Sequence, residues 1–192
     1  MEIVDIQLLD DLRKNSAKAR SRLYHLYAKK LLGICMRYTK NRYEAEDVLH
    51  DAFLKIYTKI DQFTGDGSFE GWLKRITTNT AIQFLRDRSK ELKTMDIEEY
   101  EGDVSEDLEI GLPDLSPSQL MELIQKLPNG YRLVFNMYVF EQMSHNDISE
   151  QLNISVGTSK SQLSRAKLFL RNEILILVKK MDVKEPINQF AL

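Results

Sequence analysis

Cysteine is almost missing from this chain: Cys35 is the only one among 192 residues. A lone cysteine excludes an internal disulfide and a thiolate zinc cage. Its place in the apolar run from Leu31 to Met36 predicts a small buried side chain in a reducing compartment. Histidine is scarce too, with three residues. Asp47 and His50 have the i, i+3 spacing of a carboxylate–histidine metal pair. A di-metal bundle site needs that pair twice, and neither His25 nor His145 has the matching acid. No metal or cofactor is therefore expected. The chain also lacks a glycine-rich phosphate loop and a recognised nucleophile–base motif, which argues against an enzyme. It has no run of about 18 apolar residues, so no membrane insertion is expected. The first 12 residues mix Glu2, Asp5, Asp10 and Asp11 with apolar ones, unlike a signal peptide. These absences predict a cytoplasmic protein that binds rather than catalyses.

Net charge is also small, at −2, and the average hides the distribution. Residues 94–115 carry nine acids and no Lys or Arg, so the remainder of the chain stands at +7. This stretch includes Gly102, Gly111 and Pro113 and has no sustained apolar face. It cannot bury enough surface to offset its ordering entropy, so it reads as a flexible acidic linker between two basic bodies. The expected organisation is a domain over 1–93, the linker over 94–115, a second domain over 116–180 and a tail over 181–192.

Long period-two alternation is absent, and outside the linker the pattern is helical. An all-α fold of two small helical domains is expected, with an N-terminal helical bundle and a C-terminal helix-turn-helix domain. Ala45, Val48, Leu49, Ala52, Phe53, Ile56, Tyr57 and Ile60 trace one face of a helix over 44–60. A helix over about 18–39 precedes it, with the turn at Lys40–Arg42. Residues 61–68 hold two glycines and two aspartates and predict a loop. The next helix starts near Ser68, with Trp72 and Ile76 sharing a core face. After the linker, Ser116, Pro117 and Gln119 form a helix-start signal. That helix ends at Leu127–Gly130. Another runs from Tyr131 to Glu141, with Val134, Phe135, Tyr138 and Val139 as its apolar side.

Ser144, followed by Asp147, caps a further short helix with Ile148 and Leu152 facing inward. Asn153 tolerates a left-handed turn. Ser155 then caps a helix from about Gly157 to Val178, with Leu163, Ala166, Leu170 and Ile174 as its buried stripe. Two helices around a tight turn make a helix-turn-helix. The exposed face of the second is expected to carry Thr158, Ser159, Lys160, Ser161, Gln162, Ser164, Arg165 and Lys167. Early residues of such a helix meet base edges in the major groove. Gln suits adenine and Lys suits guanine or phosphate, while Arg165 and Lys167 suit phosphates.

Three stretches, in order, resemble sigma factors of the extracytoplasmic-function type. Tyr43 to Lys55 looks like the family's polymerase-clamp helix. Phe63 to Ala81 looks like its −10 element reader. Asp147 to Lys167 looks like its −35 element reader. The resemblance covers residues ~20–90 and ~115–178. It implies a specificity subunit of RNA polymerase, partnered by the clamp of the largest subunit, the flap of the second-largest subunit and promoter DNA. It also implies control by an anti-sigma factor, in response to an envelope or extracellular signal. The implied clamp surface is Asp47, His50, Asp51, Leu54 and Lys55. The implied −10 surface is Phe63, Thr64, Gly65, Asp66, Ser68, Arg75, Asn79, Gln83 and Arg86, with Phe63 and Phe69 as stacking faces for unstacked bases. Five positions depart from the family pattern. The family usually has Gln at His50 and Asn or Asp at Gln83, and commonly Arg at Lys160 and Gln162 with an aromatic at Ser164.

Overall fold

The computed structural model describes residues 6–88 and 115–182; the acidic linker, except Leu115, and the tail beyond Asp182 lie outside these residues. All regular structure among the described residues is helical. The chain divides into two compact units, one holding the helices up to Arg88 and the other those from Pro117.

The first unit has helices α1 (Ile6–Arg13), α2 (Ala17–Tyr38), α3 (Arg42–Lys59) and α4 (Phe69–Arg88). A single 3-10 turn, Ile60–Gln62, follows α3. Local chemistry sets these boundaries. The Ser16 side chain accepts from the Ala19 N–H, and the Asn41 side chain accepts from the Glu44 N–H. Each satisfies one of the amides that a helix start leaves without an intrahelical partner. Helices α2, α3 and α4 pack pairwise, and α1 lies against α2 and the 3-10 turn. Between them lie Leu23, Leu31, Tyr38, Val48, Ile56 and Leu73, all fully buried. Burial of each such side chain stabilises the fold by roughly 1.5–3 kcal/mol.

Cys35 belongs to this core, free and buried. Burial pushes its thiol from 9.0 up to about 12, so it stays protonated and unreactive at neutral pH.

The second unit has α5 (Pro117–Lys126), α6 (Asn129–Val139), α7 (His145–Leu152) and α8 (Val156–Asp182). Both capping boxes form: Ser116 with Gln119, and Ser144 with Asp147. Helix α8 is the spine, packed by α5, α6 and α7. Leu123, Leu127, Tyr131, Ala166 and Leu170 form its core, with Phe135 and Ile174 against them. The stripe expected on α8 is thus the buried one.

On α6 the expectation needs correction. Val134 is buried as expected and Phe135 is half-buried against the core, but burial runs nearly all round the helix, over 130–134, Asn136 and Met137, while Tyr138 and Val139 are exposed at its last turn. The helix also begins at Asn129, where the Pro128 carbonyl accepts from the Arg132 N–H at 2.9 Å.

Candidate nucleic-acid interface

The loop after the 3-10 turn is exposed from Thr64 to Ser68. Gly65 and Gly67 sit at φ +93° and +92°, where a side chain would strain the backbone. Thr64 Oγ1 donates to Asp66 Oδ2 at 2.9 Å, and Ser68 Oγ accepts from the Gly71 N–H at 3.2 Å, fixing the start of α4. Along α4, Arg75, Asn79, Gln83 and Arg86 are all exposed and fall on one face. At 1.5 Å per residue that polar stripe is about 16 Å long. The loop leads into α4, and loop and stripe together offer hydroxyl, carboxylate, amide and guanidinium groups.

Phe63 and Phe69 do not join that surface. Both are buried, at 5% and 2% exposure. Their rings lie 5.1 Å apart, and the half-buried Trp72 is 5.6 Å from Phe63 and 5.8 Å from Phe69. The three rings bury more apolar surface against each other than a solvent-facing ring could, so neither phenylalanine is a ready stacking face for a base. Sequence reasoning missed this because the cluster depends on how the loop folds back onto α4.

In the second unit, Asn153 ends α7 in the left-handed conformation, φ 56°, ψ 50°, and supplies the tight turn. The Ser155 side chain accepts from the Thr158 N–H at 2.9 Å and caps the first turn of α8. The face beyond carries Lys160, Ser161, Ser164 and Lys167, all exposed. Thr158 and Arg165 flank it, half-buried. Ser161 Oγ donates to the Thr158 carbonyl at 3.0 Å.

Two residues expected on this face are inside instead. Ser159 is fully buried and Gln162 is 5% exposed. They share the helix side of Leu163 and Ala166, so the 3.6-residue period turns them inward. Ser159 Oγ lies 2.9 Å from His145 Nδ1, and Tyr138 stacks on His145 at 4.8 Å. This contact joins the start of α7 to the start of α8.

A third surface lies on α3. Asp47, His50, Asp51, Leu54 and Lys55 are all exposed on one face. Tyr43 extends it and is 82% exposed. Sequence reasoning did not place Tyr43 in this surface, although its spacing of four from Asp47 puts both on the same side. Glu70 on α4 bridges Lys30 of α2 at 2.9 Å and Lys74 at 2.8 Å, and these two ammonium groups hold its carboxyl below the usual range.

A helix-turn-helix of this geometry in one unit, and a helical bundle with an open polar loop in the other, fit a two-part transcription initiation factor. Family models agree: residues 23–91 match sigma-70 region 2, and residues 118–170 match sigma-70 region 4. The chain is 32% identical over 173 residues to the RNA polymerase sigma-H factor of Pseudomonas aeruginosa, covering 85% of this chain and 90% of that protein. It is 30% identical over 186 residues to the ECF RNA polymerase sigma factor SigW of Bacillus subtilis, covering 91% and 98%. Among solved structures it is similar to the sigma factor RpoE in co-crystal with the anti-sigma factor NepR from Bartonella quintana. That likeness has a TM-score of 0.47 and 22% identity, over 81% of this chain and 95% of that one. The chain belongs to the extracytoplasmic-function family of RNA polymerase sigma factors. Its role is that of a promoter-specificity subunit, which binds core polymerase and directs initiation.

Proposed function

We propose that the two units divide promoter recognition between them. The domain over 1–93 docks on core polymerase and captures the melted −10 element. The domain over 116–180 reads the −35 element as duplex, and residues 94–115 connect the two.

One observation carries this reading: two chemically different polar surfaces stand on separate units of one chain. The loop Thr64–Ser68 and the stripe Arg75, Asn79, Gln83 and Arg86 suit a single strand, which needs charge along a groove and polar groups for unstacked base edges. The α8 face of Lys160, Ser161, Ser164 and Lys167 suits a major groove, where small and basic early residues approach base edges and phosphates. Thr158 and Arg165 border that contact. Gln162 supports the α8 face from inside, and Phe63 supports the loop of the first unit from inside; neither touches bases.

The α3 face of Asp47, His50, Asp51, Leu54 and Lys55, lengthened by Tyr43, docks on the clamp of the largest polymerase subunit. The second domain meets the flap of the second-largest subunit. An anti-sigma factor covers these surfaces until an envelope or extracellular signal releases them. The chain works in the cytoplasm without inserting into a membrane, supplies binding energy alone, and needs no cofactor.

Permanganate probing of promoter DNA tests this division. Core polymerase plus the chain should make −10 thymines reactive, and Lys160→Ala with Lys167→Ala should reduce that only on promoters carrying the −35 element. Equal loss with and without a −35 element would contradict the assignment of α8.

A further inference from the structure

Helix α1 lies before the residues matched to sigma-70 region 2, which begin at residue 23. It is nevertheless tied to the loop. Leu8 and Leu12 are buried and fix α1 against α2 and the 3-10 turn. At its end, the Arg13 guanidinium makes one hydrogen bond and one longer ion-pair contact. Nη2 donates to the Phe63 carbonyl at 3.0 Å, across 50 positions of sequence, and Nη1 lies 3.6 Å from Asp10 Oδ1.

Phe63 is thereby held at three points. Its N–H donates to the Ile60 carbonyl at 3.2 Å. Its ring is enclosed by Phe69 and Trp72. Its carbonyl is held by Arg13. That carbonyl belongs to the peptide joining Phe63 to Thr64, the first exposed residue of the loop. Beyond it, Gly65 and Gly67 give the backbone rotational freedom, which the Arg13 bond at the root limits together with the Thr64–Asp66 bond and the Ser68 cap.

We propose that Arg13 is a positioning residue for strand capture: from α1 it fixes the orientation of the Phe63–Thr64 peptide, and so the placement of Thr64–Ser68 over the start of α4. The proposal rests on the reading that this loop captures the −10 strand. Preorganisation of this kind acts on the step in which the strand is seated, more than on first encounter. The planar guanidinium donates to the carbonyl from one nitrogen while the other keeps its charge near Asp10, a fixed geometry that a lysine ammonium on its flexible stem reproduces less well.

The test uses holoenzyme assembled from core polymerase and full-length chain, with a fluorescent adenine analogue in the non-template −10 strand. Arg13→Met keeps the apolar stem and removes the donor and the charge. It should leave closed-complex affinity unchanged and slow the fluorescence rise by about tenfold, as for loss of a charge-assisted hydrogen bond. It should also narrow discrimination between correct and incorrect −10 bases. Arg13→Lys should recover part of both effects, and it provides the readout if the methionine variant folds poorly. Opening and discrimination equal to the parent would overturn the proposal. So would a loss of thermal stability with discrimination intact, which would mark a purely structural bond. Thr64→Ala and Asp66→Ala separate the two levels of the argument. If they impair capture while the Arg13 variants do not, only the role of Arg13 fails. If neither set changes capture, the loop reading fails with it.

Discussion

Gln162 and Ser161 are adjacent in sequence and opposite in environment. Ser161 is exposed on the α8 face proposed to meet DNA, while Gln162 is buried beside Leu163 and Ala166. Among the described residues, Gln162 Oε1 has no hydrogen-bond partner. An enclosed amide oxygen of this kind is costly, so Gln162→Leu should raise stability by about 1 kcal/mol. It should leave −35 preference unchanged, as read by thermal unfolding and by selection from a promoter library. A shift in −35 preference with unchanged stability would return Gln162 to the DNA surface. At this scale the sequence was partly legible. Residue type suggested which side chains can read DNA. The side on which each lies depends on the phase of α8 against α5, α6 and α7, and a glutamine among polar neighbours gives no hint of that phase.

Helix ends were the most legible elements, because a cap is a contact between residues three apart. Ser116 with Gln119, Ser144 with Asp147, and left-handed Asn153 all follow from local chemistry. The α7 box has an energetic consequence. Ser144 donates to the Asp147 carboxylate from its hydroxyl at 2.6 Å and from its N–H at 2.9 Å, and these bonds hold the Asp147 carboxyl below its ordinary range. A carboxyl depressed on folding contributes stability above its unfolded value and loses it as pH falls through the folded one. Ser144→Ala, which removes the cap and the hydroxyl donor, should therefore lower the melting temperature near neutral pH. The gap in melting temperature from the parent should shrink on acidification. A gap independent of pH would show that the carboxylate does not contribute through Ser144. The loop root was the least legible element. Phe63, Phe69 and Trp72 meet through tertiary packing, and the Arg13–Phe63 bond spans 50 positions, so neither leaves a local signature.

For the whole molecule, charge distribution says more than net charge. The chain stands at −2, yet nine acids lie within residues 94–115 and leave the flanking parts basic. That arrangement permits DNA binding on both sides of an acidic connection, with an affinity that falls as salt rises. The two-domain division was readable from composition for this reason, and the family was readable from three motifs in order. The exposed α3 surface is the one proposed to join the chain to its larger assembly. Asp47→Lys should weaken association with core polymerase at least tenfold, measured by fluorescence anisotropy, while circular dichroism stays unchanged. Parental affinity in the folded variant would remove Asp47 from the docking face.

An initiation subunit acts only with core polymerase, whereas a self-sufficient DNA-binding regulator acts without it. Run-off transcription with purified core polymerase and a promoter library separates the two most directly. Discrete transcripts are expected that require both the chain and the core enzyme and share a common −10 and −35 pattern. A chain that shifts duplex DNA alone, and never stimulates core polymerase on any promoter, would contradict the initiation role.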